Sequence, residues 1–272
     1  MFKYLRVIFT RLFFVIYAYF RWMRPYSKHP EKYPLEVRYE RFRYIITHVF
    51  EKFFIDYNSL GAKEILNADN GESARFFICN HQSLMDPLVF VALSDKPVTF
   101  IAKKEVKKIP FVSSMLEMMG GIYLDRENPK EELKTFINVG KRLKDDNSLN
   151  ILVFIEGTRN KNNLLEPLPF KGGALKFPMK NGITIEDFSI YGTHRTLDKK
   201  VKCKRNSVTV IHNKTYSQDY YKNLNTQDLA NEAWEECKNG IQNAAEFDNA
   251  HFLEINPKYK KKLEKKNQKE KD

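Results

Sequence analysis

The chain has 272 residues, 42% of them hydrophobic and 29% charged. That apolar share supports a sizeable core and excludes global disorder. Three cysteines, Cys79, Cys203 and Cys237, exclude a disulfide scaffold, fit a reducing compartment and match no zinc spacing. The net charge of +12 is carried by the two ends: residues 1–50 carry +7 and residues 257–272 carry +5, so 51–256 is formally neutral. Two basic ends on a neutral body suggest attachment to something anionic.

The first fifty residues hold 15 of the 37 aromatics, interleaved with Arg11, Arg21 and Arg24. After Arg11 the longest uncharged run is Leu12–Phe20. That is too short for a spanning helix, which needs roughly 20 apolar residues. No small-residue cleavage site follows, so a secretory signal is also disfavoured. On a helical wheel Lys3, Arg6, Thr10, Tyr17, Arg21 and Arg24 fall in one stripe about 60° wide. Arg11 lies to one side, and most of the remaining surface is apolar. Such a helix suits the headgroup boundary of an anionic bilayer. Pro25 is expected to stop it. A second helix is expected over Leu35–Tyr57, with Leu35, Tyr39, Phe42, Ile46, Val49, Phe50 and Phe53 on one side. The plainer alternative for both segments is ordinary helices packed on a soluble core, and it weighs more for the second than for the first. Nucleic acid is the other anionic partner considered, but no zinc finger, RNP-like segment or zipper pattern is present.

From residue 74 short apolar runs alternate with helical segments. Strands are predicted at Arg75–Cys79, Val98–Ala102, Ile122–Asp125, Asn150–Glu156, Asp187–Tyr191 and Ser207–His212. Asn128-Pro129-Lys130-Glu131 reads as a capped helix start, with Leu133, Phe136, Ile137, Val139 and Leu143 at helical spacing and Asn147 near the stop. A late helix is expected over Thr226–Ala245. This alternation argues for an α/β sheet covered by helices. The Lys-rich tail, 257–272, lacks apolar periodicity and reads as solvated or disordered.

Three polar clusters follow apolar strands, where open α/β sheets place ligands. The first is Asn80-His81-Gln82-Ser83-Leu84-Met85-Asp86-Pro87. His81 and Asp86 cannot meet on a regular helix, because positions i and i+5 are about 140° apart. A turn between them can bring the carboxylate to the imidazole, leaving the other ring nitrogen free as a base. Asp86-Pro87 also reads as a plain N-cap and first helical residue. The second cluster is Phe154-Ile155-Glu156-Gly157-Thr158-Arg159, where Gly admits a close ligand and Thr and Arg can donate to phosphate. The third is Gly121–Arg126. Each arginine alone reads more simply as a surface ion pair. No pair of histidines has metal-ligand spacing.

Together these segments resemble the glycerolipid acyltransferase family, especially the bacterial 1-acylglycerol-3-phosphate acyltransferases. The His-x4-Asp box is His81 to Asp86. The second box resembles Gly121–Arg126. The third is Phe154–Arg159, with Ile155 where the family has Pro. Ile101-Ala102-Lys103-Lys104-Glu105 and Pro169-Phe170-Lys171-Gly172-Gly173 are also similar to family segments. Where the fourth box carries Pro, this chain has Asp187.

The resemblance implies a mixed α/β sheet covered by helices. In the implied organisation, interfacial membrane-anchoring helices (1–58) precede a catalytic domain (59–256) and a disordered tail (257–272). It implies acyl transfer from acyl-CoA or acyl-carrier protein to lysophosphatidate, with no cofactor and no metal. His81 would be the general base and Asp86 its orienting partner. Arg126 and Arg159, and more weakly Lys103, would hold the acceptor phosphate, while Glu156, Gly157 and Thr158 would line the acceptor site. An intracellular thioester donor implies the cytoplasmic face of the cell membrane, with peripheral or monotopic attachment. Rival readings are another lysophospholipid acceptor, a thioester hydrolase and a non-enzymatic membrane-binding protein.

Overall fold

The computed structural model describes residues 12–69, 74–125, 127–146, 149–197 and 203–269. Residues 12–18 form helix α1, which runs through a π-helical turn, Tyr19–Met23, into α2 (Arg24–Lys28). Pro25 therefore does not stop the helix as expected. It sits in the first turn of α2, where a missing N–H is tolerated, and the wide turn before it is closed by Arg24 N–H donating to Tyr19 O. One side of this helical run buries Ala18 and Met23, while Leu12, Phe13, Ile16, Tyr17 and Phe20 stay exposed. Of the cationic stripe, Lys3, Arg6 and Thr10 lie outside the described residues.

Helix α3 (Leu35–Lys52) buries Tyr39, Phe42, Ile45, Ile46 and Phe50. It ends short of the expected Tyr57. Phe54 has φ 54°, a left-handed conformation that a helix cannot continue. The chain then enters β1 (Ile55–Leu60), so a domain boundary at 58/59 falls inside a strand.

After α4 (Ala62–Asn67) come β2 (Arg75–Cys79), α5 (Asp86–Leu93), β3 (Val98–Lys103), α6 (Pro110–Met118) and β4 (Ile122–Leu124). Next are α7 (Pro129–Asp145), β5 (Asn150–Phe154), α8 (Lys176–Lys180), β6 (Thr184–Tyr191), α9 (His194–Leu197) and β7 (Asn206–Tyr216). The chain closes with α10 (Gln218–Tyr221), α11 (Thr226–Ile255) and α12 (Pro257–Lys269). The start of α7 is capped as its sequence predicts: Asn128 Oδ1 accepts from Lys130 N and Glu131 N. Residues 257–269, read from composition as solvated or disordered, are instead helical, with mostly exposed side chains.

The strands form one mixed seven-stranded sheet in the order β1-β7-β6-β2-β5-β3-β4. Only β6 and β7 pair antiparallel. Strands β2 to β6 therefore end on the same edge. Cys79, the last residue of β2, lies opposite Phe154 of β5 and Phe188 of β6. Both sheet faces are covered, which is why the central strands read as unbroken apolar runs. Phe77 and Cys79 face a core shared with α3 and α5. Phe76 and Ile78 face a second core with α7 and α11. Among the described residues no helix is long and apolar enough to cross a membrane.

Candidate active site

The segment after β2 leaves the sheet edge as a non-helical turn, 80–85, before α5 begins. That turn resolves the spacing problem of His81 and Asp86. Asp86 Oδ2 accepts from His81 Nδ1 at 2.6 Å, from Gln82 N at 2.7 Å and from Ser83 N at 2.9 Å. Asp86 is thus the first residue of α5 rather than its N-cap, which is Met85. Its carboxylate folds back on the preceding turn and fixes the imidazole and the loop together. Asp86 is fully buried, and the His81 side chain is 17% exposed. With Nδ1–H committed to the carboxylate, Nε2 carries the lone pair and can accept a proton. The imidazole stacks on Phe154, with ring centroids 4.1 Å apart and planes 15° apart.

Glu156 stands behind this pair. Its Oε1 accepts from His81 N at 2.6 Å and its Oε2 from Leu168 N at 3.0 Å. It is 2% exposed. Both oxygens are occupied by backbone, so it ties the loop after β5 to the His81 turn instead of facing an acceptor. Burial pushes its carboxyl up to about 7; the two backbone N–H groups pull the other way, and the nearby Asp86 adds to the rise.

Gly157 follows with φ 71°, a conformation that favours glycine and turns the chain at the sheet edge. Thr158 is exposed and Arg159 half-buried on the same loop. Arg159 makes no ion pair with a described residue. Lys103 is exposed at the end of β3, with β5 between it and β2. Arg126 lies outside the described residues. The structure therefore brings His81, Asp86 and Glu156 into direct contact, sets Gly157–Arg159 beside them, and leaves Lys103 two strands away.

Several supports were not legible in the sequence. Asn160 N donates to His81 O at 2.7 Å. Asn80 bonds both backbone groups of Ile190, locking the end of β2 to β6. Gln82 donates to Leu164 O and sits 3.3 Å from His194 Nδ1. These are contacts between distant segments, and nothing in local spacing signals them. Among the described residues no group of three or more His, Cys, Asp or Glu could hold a metal ion.

The site therefore holds a histidine whose Nδ1 is bound by a buried carboxylate, at the edge of a mixed sheet and beside an arginine that makes no ion pair with a described residue. Residues 63–190, which contain every one of these groups, match the family model described as Acyltransferase. That match spans just under half of the chain. It is 30% identical over 133 residues to the 1-acyl-sn-glycerol-3-phosphate acyltransferase of Borreliella burgdorferi, covering 49% of this chain and 52% of that protein. It is 32% identical over 126 residues to the Haemophilus influenzae protein of the same name, covering 46% and 51%. The matched segment spans about half the length of these relatives. The fold is shared with the crystal structure of the 1-acyl-sn-glycerophosphate acyltransferase PlsC from Thermotoga maritima. That match has a TM-score of 0.62 at 21% identity and covers 87% of this chain and 97% of that one.

Proposed function

We propose that this chain moves a fatty acyl group from a thioester donor to the sn-2 hydroxyl of 1-acylglycerol-3-phosphate, making phosphatidate. The observation that carries the reading is the 2.6 Å contact between His81 Nδ1 and Asp86 Oδ2, which leaves Nε2 as the base. Nε2 takes the proton of the acceptor hydroxyl as its oxygen attacks the thioester carbonyl. The C–S bond breaks, and the leaving thiolate takes the proton from the imidazolium, which the Asp86 carboxylate stabilises meanwhile. General-base help of this kind contributes about 10²–10⁴-fold. Arg159 and Thr158 hold the acceptor phosphate, with Arg126 and Lys103 as further phosphate ligands. Residues of this chain supply the whole of this scheme, so it calls for no cofactor.

The substrate and product are lipids, and the exposed face of Leu12, Phe13, Ile16, Tyr17 and Phe20 supports interfacial attachment. Each such side chain that enters the bilayer contributes roughly 1.5–3 kcal/mol. Phospholipid synthesis from an intracellular thioester then assigns the work to the cytoplasmic face of the membrane.

The test is acyl transfer from palmitoyl-CoA, and from acyl-carrier protein, to lysophosphatidate in detergent micelles. Phosphatidate is the expected product, and Arg159→Ala raises the KM for lysophosphatidate far more than that for the donor. Free fatty acid as the sole product would replace this reading with a hydrolase.

A further inference from the structure

The last helix, α12, differs in charge from the body of the chain. Residues 257–269 carry seven lysines and one acid, whereas 51–256 is formally neutral. Lys258, Lys261, Lys262 and Lys265 recur at helical spacing and share an arc about 100° wide. All four are exposed, and none pairs with a carboxylate among the described residues. The stripe is turned about 110° from Tyr259, whose ring meets Phe252 of α11 at 5.6 Å. It therefore faces away from the body of the protein.

The sheet fixes where this stripe sits. Strands β7 and β1 run opposite to β2 and β6, so their first residues lie at the edge that the His81 turn leaves. Asn206 N of β7 donates to Phe54 O, just before β1, at 2.9 Å. Asn256, at the junction of α11 and α12, donates through Nδ2 to Arg205 O at 3.0 Å. The exposed Lys204 places its ammonium 4.9 Å from the centre of the Phe54 ring. Helix α12 thus starts at the catalytic edge, next to the Phe53–Phe54 turn, whose Phe53 is exposed. Helix α1 is tied to the same region: the rings of Phe14 and of His48, in the last turns of α3, have centroids 4.7 Å apart.

We infer that α12 docks on an anionic bilayer surface and holds the catalytic edge against it, from the opposite end of the chain to α1. The orienting role rests on the acyl transfer proposed above, whose acceptor and product are lipids; the docking does not. Charge and shape decide the occupant. One helical face is convex and encloses no small ligand. Ammonium groups on flexible stems act as separate point charges, which suit a plane of monoanionic headgroups. Exposed apolar side chains lie near the lysines: Leu263 on α12 itself, Phe53 at the adjoining turn, and the outer face of α1 beyond it. Lysines beside apolar side chains suit the headgroup boundary. A nucleic acid would leave those apolar groups in water. Each lysine near an anionic surface strengthens partition about fivefold. Salt screens that attraction.

The experiment is co-sedimentation of the full chain with vesicles of phosphatidylcholine alone, and with vesicles of equal parts phosphatidylcholine and phosphatidylglycerol. Wild type is compared with the quadruple variant Lys258→Gln, Lys261→Gln, Lys262→Gln, Lys265→Gln. A second variant, Lys258→Arg, Lys261→Arg, Lys262→Arg, Lys265→Arg, keeps the charge. The glutamine variant binds the mixed vesicles more weakly than wild type by about tenfold or more. The two bind neutral vesicles alike, and the gap closes as salt rises. The arginine variant binds as wild type does. Transfer in neutral detergent micelles is the same in all three, while on mixed vesicles the glutamine variant is slower. Equal partition of wild type and the glutamine variant onto mixed vesicles overturns the inference. So does a glutamine variant whose affinity falls for duplex DNA and not for mixed vesicles. If wild type forms no phosphatidate, the proposed function and the orienting role fail together, and the sedimentation still decides the docking.

Discussion

Among the carboxyl groups this molecule buries completely, Asp86 and Asp187 are treated in opposite ways. At the sheet edge, Asp86 is fully buried but receives the His81 imidazole and two backbone N–H groups on one oxygen. Between β6, β7 and α11, Asp187 is equally buried, but among the described residues neither of its oxygens has a partner in good hydrogen-bond geometry. Its neighbours Asn213 Oδ1 and Tyr216 Oη are also unpartnered. Burial drives Asp187 well above the ordinary carboxylate range, further than the nearby Asn213 amide offsets. Glu156 lies between these extremes, with two backbone donors against burial and a carboxyl at about 7. Depth alone does not set the charge of a carboxyl; the donors that the fold brings to it do.

The contrast can be broken most severely at the catalytic pair. His81→Ala removes the base, and transfer is expected to fall by about 10²–10⁴-fold with an unchanged circular dichroism spectrum. A variant of near-normal activity would move the base elsewhere. Asp86→Asn keeps the shape but cannot stabilise an imidazolium. It should reduce kcat by about 10²-fold or more while the acceptor KM moves little.

Glu156→Gln sharpens the comparison through pH. The folded state holds the Glu156 proton more tightly than the unfolded chain does, since its carboxyl rises from 4.5 to about 7. Its contribution is therefore full below about 4.5 and is lost as pH climbs through 7, a swing of about 3 kcal/mol. Denaturant midpoints measured from pH 4 to pH 8 should decline more steeply in wild type than in the variant. Parallel curves would mean that the two N–H donors fully offset burial.

The smallest effect on activity is expected at Asp187. Asp187→Asn keeps the shape and places an amide where burial disfavours a charged carboxylate, and it should leave kcat/KM unchanged. Because burial raises the Asp187 carboxyl in the folded state, its contribution is lost as pH rises past the unfolded carboxylate range. The variant should match wild type near pH 4, within about 1.5 kcal/mol, and gain on it at pH 8. A loss of stability at pH 8 would mean that Asp187 is charged and held by a donor.

The His81–Asp86 contact was readable because its signal is local: a histidine and an aspartate five apart, lying between a strand end and a proline. The strands of the centre were readable because a sheet covered on both faces demands continuous apolar runs. Boundaries set by single backbone conformations were not. Phe54 ends α3 by its left-handed φ, yet Phe53, Phe54 and Ile55 continue the apolar pattern, so β1 was hidden in the expected helix. Glu156 looked like a substrate ligand because the sequence names its side chain but not the His81 and Leu168 amides that occupy it.

The pairing of β1 with β7 has a consequence for the order in which this protein can be made. Asn58 of β1 donates to Ser207 of β7 across 149 positions of sequence. At roughly 5–20 residues per second, a ribosome needs about 7–30 s to cover that distance. Throughout that interval the first strand has left the tunnel with no neighbour to bond, and an unpaired strand edge is a site of misassociation. The sheet therefore cannot close at its β1 edge until some three quarters of the chain has been synthesised. Its asparagine and serine, and the exposed Leu60 at its tip, wait in solution for a partner that arrives almost last.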